Sequence, residues 1–331
     1  MTRPSFLPDN FTASILFTVL LASVLPCSGR FADIAHGVAS VAIGLLFFLH
    51  GAKLSREAVV AGATHWRLHM LVLCSTFLLF PLLGWLLKPL ALKLLTPELY
   101  TGLLFLCVLP STVQSSIALV AVARGNVPAA ICSASASNLL GMFLTPVLVG
   151  LLVVHGAAAA GASLESVVPI VLQLLLPFTL GQLLRPRIGA WVDRRKATLR
   201  LVDQGAILLV VYTAFSAAVI EGLWDKLPLS ALAGLVVVNL VLLALALGLS
   251  TLISRRMGFN REDEITLVFC ASKKSLASGL PMAKVLFASQ SVGMIVLPLM
   301  LFHQIQLMVC SVLAQRYARR ATVLVPKTAH R

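Results

Sequence analysis

The sequence predicts an all-α polytopic membrane protein of ten transmembrane helices, arranged as two five-helix repeats of opposite orientation. Three observations carry that expectation. Of 331 residues, 59% are hydrophobic and 11% charged, with a mean hydropathy of +0.97. A soluble globular domain of that balance would lack the polar surface to stay in water. Apolar runs of about 20 residues, enough to cross a hydrocarbon core as a helix, recur from Phe11 to Tyr317. One run in each half also carries a polar cluster with a helix breaker near its middle, the sequence pattern of a transporter's discontinuous helices.

Spans are expected at 11–26, 34–52, 67–87, 98–122, 127–154, 164–185, 201–222, 229–252, 264–287 and 291–315. All should be helical, because a lipid-facing backbone must satisfy its own hydrogen bonds. The first, Phe11–Leu25, reads as a span rather than a cleaved signal, since no A-x-A site follows it. His65 and His69 before and within span three have i, i+4 spacing, yet no third ligand accompanies them and no metal is expected. Span four reads LCVLPSTVQSSIALVAVARGN, with Pro110 followed by Ser111, Thr112, Gln114, Ser115 and Ser116. Span five brings Ser133, Ser135, Ser137 and Asn138, of which Ser135 and Asn138 share a helix face. The longest connection expected is the basic loop Arg185–Arg200 between spans six and seven. The two repeats are then residues 11–154 and 164–315, followed by a basic tail at 316–331. Five spans in each half invert the second relative to the first. Gly141–Pro146 (GMFLTP) and Gly293–Pro298 (GMIVLP) are a faint internal echo.

Span nine, EITLVFCASKKSLASGLPMAKVLF, holds Lys273 and Lys274 between Ser272 and Ser275, near mid-membrane depth. Each lysine there costs roughly 2.5–3.5 kcal/mol on insertion scales, against about −0.5 for a Leu. Such a residue needs a wet cavity, a partner or an anion. The step Ser278-Gly-Leu-Pro281 is expected to break the helix, because proline brings no N–H and its ring meets the carbonyl of Ala277. Span ten adds His303, Gln304 and Gln306. No Asp or Glu is expected at that depth, so the interior is net positive and favours an anion over a bare cation. The six cysteines are scattered and read as small core hydrophobes.

The net charge of +14 resides in connections rather than in a nucleic-acid-binding face, and no nucleic acid is expected. Nineteen of the 26 Lys and Arg fall at the termini and after even-numbered spans, while four (Arg30, Lys88, Lys93, Lys226) lie opposite. That asymmetry places both termini in the cytoplasm, the chain in the cytoplasmic (inner) membrane and the lipid bilayer as its first partner.

With these stretches in view, the chain resembles the bile acid:sodium symporter superfamily, and within it the SBF-like branch of bacterial YfeH-type proteins. The resemblance rests on FLHGAKLSREAVVAG (Phe48–Gly62), LPSTVQSS (Leu109–Ser116), ARGNVPAAICSASASNLLGMFLTP (Ala123–Pro146), FCASKKSLASGLPMAKVLF (Phe269–Phe287) and LPLMLFHQIQLMVC (Leu297–Cys310). It implies a core domain and a panel domain, with helices four and nine broken and crossing near the substrate. It also implies a sodium site involving Ser115, Ser116 and Asn138, with Ser135 and Ser137 in the same region. Span nine departs from the family pattern. Phe269 stands where a Glu is expected, and Lys273-Lys274 replaces Gln-Asn before Ser275.

The expected function is secondary transport of a small organic anion by alternating access. The expected substrate and ion ligands are Ser111, Thr112, Gln114, Ser115, Ser116, Ser135, Ser137, Asn138, Ser272, Lys273, Lys274, Ser275, His303 and Gln304. No cofactor is expected; the coupling ion is H+ or Na+, with sodium opposed by the lysines. A non-transporting regulator on the same fold is the alternative. An intramembrane enzyme using Ser272 with Lys274 ranks last, since residues two apart on a helix do not face each other.

Overall fold

The computed structural model describes residues 10–53, 65–154, 164–287 and 291–323. Among the described residues every regular element is helical and none is a strand. In chain order they are α1 (Asn10–Val24), α2 (Gly29–Lys53), α3 (Trp66–Leu86, with a π-turn at Ser75–Leu79), α4 (Lys88–Leu94) and α5 (Pro97–Val108). There follow α6 (Gln114–Val122), α7 (Val127–Leu148, continued by π-turns Val149–Val154), α8 (Leu164–Arg194) and α9 (Lys196–Ile220). The chain then forms α10 (Leu223–Lys226), α11 (Leu229–Arg256), α12 (Arg261–Ala271), α13 (Leu276–Leu286) and α14 (Val292–Val323).

Six of these, α2, α3, α7, α9, α11 and α14, are long and apolar enough to cross a membrane. The outward faces are apolar too, with Phe17, Leu20, Val41, Leu183 and Leu229 exposed. Such a surface requires lipid rather than water around it. This is a membrane protein.

The helices pack as two groups. In one, α2 lies along α8 and α9, and α1 lies along α9. The approach of α2 to α8 depends on two glycines. A Cβ at Gly51 would run into the Phe178 carbonyl, and one at Gly181 into the Phe48 carbonyl. In the other group α14 packs on α5 and α11, α12 on α3, α7 and α11, and the short helix α6 on α7, α12 and α14; the short helix α13 packs on α14 and also meets α8 and α9 of the first group.

Three expectations change. The stretch Arg185–Arg200 is not a loop: α8 runs to Arg194 and α9 begins at Lys196, with only Arg195 between them. Basic composition marks where a chain leaves the hydrocarbon, and a helix can continue past that plane. For the same reason α14 carries on through the expected tail to Val323. The third change concerns span nine, whose break falls on Ser272–Ser275, leaving Pro281 inside α13. Ser275 caps α13 with its hydroxyl, which accepts from Ser278 N at 3.2 Å. Proline in the second turn then removes only the bond to the Ala277 carbonyl. Arg3, Arg56, Lys327 and Arg331, which entered the charge count, lie outside the described residues.

Candidate functional site

Two interrupted helices meet here, and their backbone groups can be accounted for one at a time. At the end of α5 the last carbonyls have no helical donors. The Leu106 carbonyl would take the N–H of residue 110, but that residue is proline, and Leu109 N bonds to it at 3.3 Å instead. The Cys107 carbonyl would take Ser111 N, which donates to Ser137 Oγ at 3.0 Å. Thr145 Oγ1 donates to the Val108 carbonyl at 2.8 Å. Close packing of α7 over this break needs Gly141, where a Cβ would lie 2.5 Å from Pro110 Cβ.

The two breaks cap each other. Ser111 Oγ donates to the Cys270 carbonyl (2.6 Å) and Ser116 Oγ to the Phe269 carbonyl (3.3 Å), which belong to the last turn of α12. In return Ser275 N donates to the Pro110 carbonyl at 2.9 Å. Gln306 of α14 braces the second break from behind. Its Oε1 accepts from Lys274 N (3.0 Å), and its Nε2 donates to the Lys274 carbonyl (3.1 Å).

Lys274 supplies what remains. Its Nζ donates to the carbonyls of Thr76 (2.8 Å), Cys107 (2.7 Å) and Leu109 (2.8 Å), and sits 4.2 Å from the centre of the Phe80 ring. The Thr76 carbonyl is free for a local reason. In the π-turn Phe80 N donates to Ser75, five residues back, and the same step on would require an N–H from Pro81. Lys273, beside it, is equally buried at 0% exposure, and its Nζ has no hydrogen-bond partner among the described residues.

In front of the breaks, between the two helix groups, lies a cavity of about 860 Å³. One wall presents Thr112 from the break before α6, Gln114 and Ser115 from the start of α6, Ser135 and Asn138 from α7, and Ser275 and Ser278 at the start of α13. His303, Gln304 and Ser311 of α14 complete that wall. Ser278 Oγ donates to Asn138 Oδ1 at 2.9 Å, and Thr112 Oγ1 lies 2.7 Å from Ser115 Oγ. The other wall presents His50 and Lys53 of α2 with Arg200, Asp203 and Gln204 of α9. Lys53 and Asp203 form an ion pair. Phe11, Leu139, Phe178, Ile207 and Met308 supply apolar surface between the polar ends. The first residues of α6 and α13 both face this space, so two helix N-termini direct their partial positive charge toward it.

The expected site residues thus divide. Thr112, Gln114, Ser115, Ser135, Asn138, Ser275, His303 and Gln304 line the cavity. Ser111, Ser116, Ser137, Ser272, Lys273 and Lys274 are fully buried and stand behind its wall. Ser272 Oγ donates to the Val268 carbonyl (2.6 Å), so it forms no reactive pair with Lys274. His69 Nδ1 lies 2.6 Å from Ser133 Oγ. Sequence reasoning missed the second wall. Lys53 and Arg200 read from the sequence as topology signals and Asp203, near the start of span seven, is not among the expected ligands, yet all three line the cavity. The available signal is Arg200, Asp203 and Gln204 at i, i+3 and i+4, one face of a helix whose next seven residues, Gly205–Val211, carry no polar side chain.

The chain matches the model of the SBF-like CPA transporter family over residues 9–319. It is 66% identical over 320 residues to an uncharacterized protein of Pseudomonas aeruginosa, covering 97% of this chain and 96% of that one. It is 57% identical to "Putative symporter YfeH" of Escherichia coli, with 96% and 95% covered. A more distant relative, sodium/bile acid cotransporter 7 of Mus musculus, is 30% identical over 83% of this chain and 82% of that protein.

Proposed function

Because the chain belongs to the SBF-like CPA transporter family, we propose that it is a secondary transporter carrying a small organic anion across the cytoplasmic membrane by alternating access. The observation that carries this reading is the cavity between the two helix groups. Two helix N-termini, Lys53 and Arg200 face it, against one carboxylate among the described lining residues, that of Asp203, which Lys53 already pairs. Its volume suits a molecule of several tens of atoms rather than an inorganic ion. Its apolar stretch suits an amphipathic one.

In this reading α5 with α6, and α12 with α13, are single broken spans, which brings the count to ten in two inverted repeats with both termini cytoplasmic. The group α1, α2, α8 and α9 is the panel and the remainder the core. Movement of one against the other would open the cavity to each side in turn. The relatives' names speak of symport and of sodium, but span nine of this chain argues against a sodium requirement. Its lysines, Lys273 and Lys274, stand where the family pattern has Gln-Asn before Ser275, and they bring two cations to that step. A proton is the better candidate for coupling.

The test is uptake of labelled organic acids into proteoliposomes containing the purified protein, in sodium or choline buffer and with or without a pH gradient. Uptake that persists in choline and falls about tenfold in Asn138→Ala supports the reading. Anions that bind but do not move would favour the non-transporting regulator.

A further inference from the structure

We infer that Lys274 is a resident cation: its ammonium fills a monovalent-cation site made of backbone carbonyls, and removing it opens that site to small cations from solution. The inference goes beyond the transport reading and needs no substrate.

The geometry states the charge. Three carbonyl oxygens at 2.7–2.8 Å demand three N–H donors from one nitrogen. Only the ammonium form has three and no lone pair to turn toward an oxygen. The fourth side is the Phe80 ring face, which also favours a cation. That ring is held edge-on by Phe302, with centroids 6.2 Å apart and planes at 84°.

The cage does not depend on the lysine that fills it. Thr76 offers its carbonyl because Pro81 has no N–H to give. Cys107 offers its own because Ser137 has taken the N–H of Ser111. Leu109 is extended, with φ −73° and ψ 154°, and so turns its carbonyl out of the helical ladder. These causes lie in α3, α5 and α7. Removing the side chain of Lys274 therefore leaves three convergent, buried oxygens and a ring face. Carbonyl oxygens grouped in this way replace the hydration shell of a monovalent cation. A primary ammonium such as methylammonium matches the three oxygens best, with potassium and sodium as competitors. The wild-type protein carries its cation covalently and should be indifferent to all three.

The experiment is thermal unfolding of the full-length protein in detergent, comparing wild type with Lys274→Ala. Choline chloride is replaced at constant ionic strength by methylammonium, potassium or sodium chloride. The expected result is a flat response in wild type. The variant should melt lower in choline and recover saturably by about 2–4 °C or more with at least one small cation. A variant blind to all three cations overturns the inference, and so does a wild type that gains as much as the variant. Should Lys274→Ala prove too unstable to purify, Lys274→Met decides, since it fills the space without charge. It should melt low and ignore cations. A Met variant that melts with the wild type, or responds to cations, overturns the inference. Anion uptake is not read in any arm, so failure here leaves the transport reading standing, and the reverse holds.

Discussion

Lys273 and Lys274 are neighbours in one four-residue break, both wholly buried, yet their ammonium groups meet opposite surroundings. Lys274 reaches across to α3 and α5 and satisfies three carbonyls. Lys273 reaches none among the described residues. Burial of a charge costs several kcal/mol unless partners offset it. The difference teaches that depth alone does not assign a role. One lysine satisfies the carbonyls that this arrangement of helices leaves open, and the other is tolerated by it. Lys273 is accordingly the group with most to gain from a different arrangement.

The contrast breaks most readily at Lys274. Lys274→Ala should lose about 3–5 kcal/mol in denaturant unfolding of the detergent-solubilised protein, as expected when one partner of a buried charged cluster is removed. A loss under about 1 kcal/mol would erase the distinction between the two lysines. Next comes the cap beside it. Ser275→Ala removes the hydroxyl that accepts from Ser278 N and should cost about 1 kcal/mol in the same assay. Lys273→Met sharpens the contrast from the other side. Its stability should match the wild type within about 1 kcal/mol or exceed it, because no partner is lost. If stability is kept while anion uptake falls, Lys273 acts in a state other than this one. The smallest effect on stability, within about 0.5 kcal/mol, is expected for Arg200→Gln on the exposed rim. Its anion uptake should nonetheless drop about tenfold, roughly the 1.4 kcal/mol of one charge-assisted hydrogen bond.

Much of the candidate site is legible in the chain because a polar residue in a long apolar run is a costly exception and shows itself. Pro110 with its serines, the paired lysines and Asn138 were all found that way. The exact place of the second break was not legible. Pro281 is the stronger helix breaker by composition, but the break falls at Ser272–Ser275, where the Ser111 and Ser116 hydroxyls satisfy the last carbonyls of α12 and the Gln306 amide and Pro110 carbonyl satisfy Lys274 and Ser275. The charged wall of the cavity was hidden for a related reason. Lys53, Arg200 and Asp203 sit near span ends, where charge is ordinary, and they become a site only because α2 and α9 face the broken helices.

Composition and periodicity alone determined that the protein lives in lipid, that its elements are helices, and which two runs are interrupted. Those properties follow from local costs: apolar surface in water, unpaired backbone in hydrocarbon, and charge at depth. Tertiary structure decided which lysine is satisfied, which serines line the cavity and which cap a helix. Each of those outcomes depends on a partner supplied by a distant part of the chain, such as the Thr76 carbonyl for Lys274, and no local pattern specifies where that partner will be.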